Sequence, residues 1–173
     1  MKRHRKQLAR TFVLVSALIA AAATFLLPPS LQAQTQAQTK GIDPSLLAKA
    51  KAGDAVSELT IGREFIFGIH VPQDYAQAAI WFHNAAAHGN SEAQLQLGMF
   101  FQEGKGVPKD SAQAVVWLRK AADQGNFDAQ YLLGYAYQTG DGIQQSYAQA
   151  AFWYRKSADY GNVSAQFTLG SFY

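Results

Sequence analysis

The stretch GNFDAQYLLGYAYQTGDGIQQSYAQAAFWYRKSADYG, residues 125–161, contains one full structural period of the chain. Gly125 is followed by Asn126, whose side chain can accept the free N–H groups of a helix's first turn. A helix of about a dozen residues then fits between Asn126 and the turn Gly140-Asp141-Gly142-Ile143. Ser146 precedes Gln149 by three residues, the spacing of a capping box, and opens a second helix carrying Trp153. That helix closes at Gly161, well placed as the left-handed residue after a helix end. One segment therefore predicts two helices joined by a glycine turn.

Moving outward in steps of 36 residues finds the same pattern again. Gly53, Gly89, Gly125 and Gly161 stand at that step, as do Gly62, Gly98, Gly134 and Gly170. So do Trp81, Trp117 and Trp153; Gly68, Gly104 and Gly140; and Ala86, Ala122 and Ala158. Asp54, Asn90 and Asn162 repeat the first cap, while Asp74 with Gln77 and Asp110 with Gln113 repeat the second. Agreement across so many columns defines three units, 53–88, 89–124 and 125–160, each a helix A followed by a helix B. One such unit cannot bury its apolar face alone, whereas three stacked units share a continuous core. The fold class is all-α, a solenoid of antiparallel helix pairs with a 36-residue repeat.

Gly98 and Gly134 lie mid-helix, where glycine costs about 1 kcal/mol relative to alanine. Repetition of that cost implies a close helix approach, with the large tryptophans of helix B expected opposite the small residues of helix A. In the first unit His70 replaces the second turn glycine, so that turn is expected to differ locally. Asp43-Pro44 reads as a cap with proline at the first helical position, making 43–52 an N-terminal capping helix. Residues 161–173 hold only a helix A, read as a C-terminal cap or as part of a fourth repeat.

Composition supports a packed core. Of 173 residues, 49% are hydrophobic and only 16% charged, which places the chain among globular proteins. It has no cysteine, so disulfides, thiol nucleophiles and cysteine-ligated zinc are excluded. The net charge of +3 comes from the N-terminus, where Lys2, Arg3, Arg5, Lys6 and Arg10 cluster. Beyond residue 33 there are 10 basic and 12 acidic side chains, a net of −2. A nucleic-acid partner is therefore not expected, because neutralising phosphates needs clustered Lys and Arg.

That basic start is followed by an uncharged apolar run over residues 11–27, then Pro28-Pro29 and Leu31-Gln32-Ala33. The three-part layout predicts a secretory signal peptide, 1–33, cleaved after Ala33. A run of 17 residues is short for a retained membrane anchor. The mature protein is thus expected in the periplasm or outside the cell, with no stable membrane insertion. Residues 34–42 read as a flexible lead-in.

No catalytic, metal or cofactor site is expected. No serine has a lysine three residues later, and there is no His-Glu-x-x-His or Gly-x-Ser-x-Gly. His83 and His88 are five residues apart, a turn of about 140° that takes them off a shared face. Gly104-Lys105-Gly106 lacks the rest of a phosphate loop and recurs as Gly140-Asp141-Gly142, so it reads as a structural turn. Asn162-Val163-Ser164 matches a glycosylation sequon, yet Asn162 occupies the cap column.

The Gly-Asn-x-x-Ala-Gln-x-x-Leu-Gly opening, the Gly-x-Gly-Val turn, the Ala-x-x-Trp helix and the Lys-Ala-Ala-x-x-Gly close resemble the Sel-one-like repeat (SLR) family, relatives of the tetratricopeptide repeats. Gly125, Asn126, Ala129, Gln130, Leu133, Gly134, Gly140, Gly142, Trp153 and Ala158 carry the resemblance. It implies a right-handed α–α superhelix that binds proteins or peptides, often as an adaptor in bacterial envelope assembly or host contact. It also implies a concave side lined by helix A. A cell-wall-associated hydrolase or glycan binder is an alternative that the family suggests, and a structural spacer or oligomerisation module is another. The disulfide-stapled branch with β-lactam chemistry is set apart by the missing cysteines.

On helix A, the columns that change identity between repeats are those of Glu92, Gln96, Met99 and Glu103. Spacings of four, three and four residues put them on one helix face. They read Val56, Thr60, Arg63, Phe67 in the first unit and Asp128, Leu132, Tyr135, Thr139 in the third. This face is the expected binding groove for a protein or peptide, with Met99 and Tyr135 as its central anchors off the packed core.

Overall fold

The computed structural model describes residues 39–172. The signal peptide read over 1–33 and the start of the lead-in lie outside the described residues. Eight helices follow one another among the described residues, with no strand: α1 (Pro44–Lys51), α2 (Ala55–Phe67), α3 (Tyr75–Ala87), α4 (Ser91–Glu103), α5 (Ser111–Asp123), α6 (Phe127–Thr139), α7 (Tyr147–Asp159) and α8 (Val163–Phe172). Each packs chiefly on its neighbours in sequence. The architecture is the expected all-α superhelix of helix pairs with a 36-residue repeat.

Helix boundaries fall where the capping chemistry places them. The side chains of Asp54, Asn90 and Asn126 accept from the N–H of Ser57, Ala93 and Ala129 at 3.0, 2.9 and 2.9 Å. Asp43 does the same for Leu46 ahead of α1. On helix B, Asp74, Asp110 and Ser146 accept from Gln77, Gln113 and Gln149. The other half of the expected capping box is supplied differently. The N–H groups of Asp74, Asp110 and Ser146 donate to the carbonyls of Phe65, Phe101 and Tyr137 at 3.0, 2.8 and 2.9 Å. Main chain of helix A thus takes the proton that a glutamine side chain would otherwise accept, and the bond fixes the angle at which helix B leaves the turn.

The mid-helix glycines mark close approaches, but not to tryptophan. A Cβ on Gly62, Gly98 or Gly134 would fall 2.5–2.8 Å from the side chains of Phe82, Leu118 and Tyr154 respectively, the residues one place after each tryptophan. For the mid-helix glycines, the expected pairing with tryptophan is corrected to that neighbouring column. Trp81 and Trp153 are buried, and Trp117 is partly buried with the Lys120 ammonium 4.1 Å from its ring. The indole N–H groups of Trp81 and Trp153 have no hydrogen-bond partner, so the column uses the ring's area rather than its polar edge.

The core forms two clusters that meet at α4 and α5. Leu97, Phe100 and Phe101 of α4 belong to the first, with Ile61, Phe65 and Phe82. Leu95 of the same helix faces the second, with Leu118, Leu133 and Trp153. Helix A of a middle repeat is therefore shared by two cores, which is how a stack without a central core coheres.

A glutamine column ties successive units together. Gln94 Nε2 donates to the Ala86 carbonyl and Gln130 Nε2 to the Ala122 carbonyl, both at 3.1 Å; Gln166 repeats the contact to Ala158 at 3.2 Å. These carbonyls lie in the last turn of the preceding helix B, where each also accepts the N–H of Gly89, Gly125 or Gly161, so the glutamine takes up the second lone pair. In the first unit the column holds Glu58, which has no amide to donate. Its carboxylate bonds instead to His88 Nδ1 at 2.8 Å.

The first unit's turn also departs, as anticipated. Gly106 and Gly142 have φ near +70°, and a Cβ on either would sit 2.1 Å from the carbonyl oxygen of Tyr75 or Ser111 in the preceding repeat. His70 holds the equivalent place with φ +32°. Here the glycine stands on the opposite side of the contact: a Cβ on Gly41 would fall 1.6 Å from the His70 carbonyl oxygen. Gly41 lies in a turn closed by the Ile42 N–H donating to the Thr39 carbonyl at 3.0 Å. Ile42 is buried in the first core. The end of the segment read as a flexible lead-in is thus part of the packed unit.

Candidate functional site: the variable face of helix A

The variable columns fall on α2, α4 and α6. Their neighbours Ala93, Leu95 and Leu97 point into the cores, so the helix period leaves residues 92, 96, 99 and 103 on another side. Val56 and Phe67 are widely open, Phe67 at 68% exposure, and Tyr135 is 44% exposed. Arg63, Glu103, Asp128 and Thr139 are exposed too, while Thr60, Glu92 and Gln96 are half-buried. Met99 and Leu132 are half-buried and packed against the second core cluster. The expectation that Met99 lies off the packed core is therefore corrected. Its unbranched chain reaches back into the seam that α4 shares with the next unit.

Polar groups on this face bond across repeats. The Arg63 guanidinium meets Glu92 Oε1 at 3.3 Å, and Gln96 Nε2 donates to the same oxygen at 3.1 Å. Asn162 Nδ2 donates to Asp128 Oδ1 at 3.0 Å, joining α6 to the start of α8. The hydroxyls of Thr60 and Thr139 turn back onto the carbonyls of Val56 and Tyr135. Glu103 stands exposed at the end of α4. Beneath the third unit's face, Tyr154 is fully buried and donates to Gln138 Oε1 at 2.6 Å. Burial pushes its phenol well above the ordinary range, and the nearby Tyr131 and Tyr135 phenols push the same way.

Further exposed apolar residues stand outside the four columns. Ile69 follows Phe67 in the first turn, and Phe127 and Val163 open α6 and α8, all three exposed. The column Ser91, Phe127, Val163 changes identity in every unit, a signal as good as those that were used. The glutamine column was in view within the Ala-Gln motif without a role assigned to it.

Reactive chemistry is sparse among the described residues. No three His, Asp or Glu side chains gather there in a metal-binding arrangement. His83 packs edge-on against Trp117 with ring centroids 5.7 Å apart, and burial followed by the Lys120 charge lowers its pKa. His88 is turned towards Glu58. A depression between α4, α5 and α6 has room for about 10 Å³, about one water, and a wide-open one beside Tyr137 and Ile143 to Ser146 has about 460 Å³. No described helix is long and apolar enough to cross a membrane.

A model of the Sel1 repeat matches residues 61–90, 91–126 and 127–162, more than half of the chain. Among solved structures, a protective antigen (c5321) of uropathogenic Escherichia coli displaying an SLR fold is 42% identical with a TM-score of 0.71. That match covers 73% of this chain and 27% of the antigen, so the chain spans about a quarter of that protein's length. A Sel1 repeat protein from Oxalobacter formigenes is 33% identical, with a TM-score of 0.70 over 73% of this chain and 96% of that one. Helicobacter pylori cysteine rich protein B is 20% identical with a TM-score of 0.59 over 78% and 96%, a likeness of fold alone. None of the curated proteins matches the chain. Proteins of this repeat type are generally scaffolds for protein–protein interaction and generally not enzymes. By the repeats matched and the identity to the Oxalobacter protein, this chain belongs to the Sel1 repeat family.

Proposed function

We propose that the protein is an exported adaptor that binds a protein or peptide on the helix A face of its solenoid. The observation that carries this reading is that exposed apolar side chains, Val56, Phe67 and Tyr135, stand on columns that the repeat does not need. A monomeric solenoid gains nothing by holding such side chains in water. Interfaces use isolated aromatic anchors within a polar rim, and here the rim is Arg63, Glu92, Glu103 and Asp128. Export rests on the basic, apolar and small-residue layout of residues 1–33, which directs the chain to the periplasm or beyond.

Two measurements test the two halves. N-terminal sequencing of the protein from its native host should give a chain starting near Gln34; a cytosolic chain starting at Met1 removes the export step. Capture of partners by the mature form should be lost on Tyr135→Ala with Phe67→Ala. Capture unchanged by that pair, and abolished by changes at Val116 and Phe152 on helix B, moves the site to the other side of the solenoid.

A further inference from the structure

Resting on that reading, we infer that the helix A face takes a cationic peptide with an apolar centre, its two positive side chains received by Glu103 and Asp128. Three carboxylates, Glu92, Glu103 and Asp128, and one cation, Arg63, occupy the twelve positions of the three complete repeats. Arg63 is taken by Glu92 at 3.3 Å. Glu103 and Asp128 are left without an ion-pair partner among the described residues, both exposed, at opposite ends of the A helices of successive units. Asp128 accepts one amide hydrogen bond from Asn162, which leaves its charge in place. The exposed Tyr135 lies between the two carboxylates in the column order of the face, flanked by the half-buried Met99 and Leu132.

Geometry sets the spacing. Eleven residues of helix separate the column of Asp128 from that of Glu103, about 16 Å along the axis, and stepping from α4 to α6, the helix A of the next unit, adds a lateral offset of at least about 10 Å. A diagonal of at least about 19 Å needs five or six residues of extended peptide. A segment with Lys or Arg at that separation and large apolar residues between matches both the charge and the anchors. Helix B with its caps is balanced, Arg119, Lys120, Arg155 and Lys156 against Asp74, Asp110, Asp123 and Asp159. A cation-bearing ligand is therefore steered towards helix A.

The test uses the mature full chain and two fluorescent octapeptides, Gly-Lys-Ala-Phe-Leu-Ala-Lys-Gly and its counterpart with Glu in place of both Lys. The lysine peptide should bind about tenfold more tightly at low salt, and the preference should shrink as salt rises. Glu103→Gln with Asp128→Asn should bring the two affinities within about twofold. Equal binding of both peptides to the parent protein, lost on Tyr135→Ala, overturns the charge assignment and leaves the binding face standing. Binding of neither peptide, or binding that Tyr135→Ala and the charge variant leave untouched, overturns the face itself. A lysine preference that survives the charge variant but is lost on Tyr135→Ala places the cation contacts elsewhere on that face and overturns this assignment.

Discussion

The side-chain amide of Gln124 donates to Oε1 of Gln94 at 2.8 Å, while Gln94 spends its own N–H on the carbonyl of Ala86. One buried amide thus joins the end of α5 to the end of α3. The third unit lacks the outer half of this link. Gln130 Oε1 is buried without a partner, and the position equivalent to Gln124 is Tyr160, 67% exposed.

Two opposite stability changes are expected. Gln94→Leu should lower unfolding stability by about 1–3 kcal/mol, since it removes both the bond to the Ala86 carbonyl and the acceptor of the Gln124 amide. Tyr160→Gln should raise it by about 0.5–1 kcal/mol by restoring the missing donor. Chemical denaturation midpoints at constant slope read both, and a destabilised Tyr160→Gln would show that the ladder is not the reason for the buried amide.

One column of glycines should respond to the same substitution with different signs. A Cβ on Gly134 meets the ring of Tyr154 at 2.8 Å, and that ring is buried and hydrogen-bonded to Gln138. Gly134→Ala should therefore destabilise by about 1–3 kcal/mol through overpacking. Gly170 has nothing within 4 Å of the same point, so Gly170→Ala should gain up to about 1 kcal/mol of helix propensity. Gly98→Leu should be worse than any single change at Phe67, Tyr135 or Thr139. Equal thermal midpoints across these variants would mean that the packed side of helix A is wrongly placed.

The lowered pKa of His83 gives a pH dependence of defined sign. Burial and then the Lys120 charge disfavour its protonation in the folded chain relative to the ordinary value of 6.5. Below that value the unfolded chain binds a proton that the folded chain resists, so stability falls as the solution is acidified. Above it the effect is absent. His83→Gln should flatten the stability profile below pH 6.5, and a variant that keeps the parent's slope there assigns the fall to another group.

Purified mature protein should show no turnover of nitrocefin or of simple esters. Nucleophilic catalysis needs a base within hydrogen-bond reach of the nucleophile. The hydroxyl of Ser57 is bonded to the capping carboxylate of Asp54, with no histidine joining them, and that of Ser157 donates to the Phe127 carbonyl at 2.7 Å. Measurable hydrolysis that survives rigorous purification would reopen the enzymatic alternative.

Much of the fold was legible because the chain states it three times. Caps at Asp54, Asn90 and Asn126 and the glycine ends of α2, α4 and α6 lie where the 36-residue step put them. What the step does not encode is which side chain meets which. Phe82, Leu118 and Tyr154 differ in every unit, so their shared role opposite a glycine emerges only in three dimensions. The half-buried state of Met99 was hidden for a similar reason: a variable column is not the same as a solvent column. Gln94 and Gln130 look like surface residues by type, and only their contact with a helix end explains their burial.

The exchange of glycine between Gly41 and His70 has an evolutionary consequence. Arrays of this kind lengthen when recombination copies one unit beside another, and such a copy must seat its turn against the start of the previous unit's helix B. A copy of the second or third unit brings Gly106 or Gly142 to that junction and fits. A copy of the first brings His70, whose Cβ would stand about where the carbonyl of a residue such as Tyr75 already lies. As it stands, the first unit thus fits behind its own turn, Thr39 to Ile42, whereas a copied second or third unit would seat without further change.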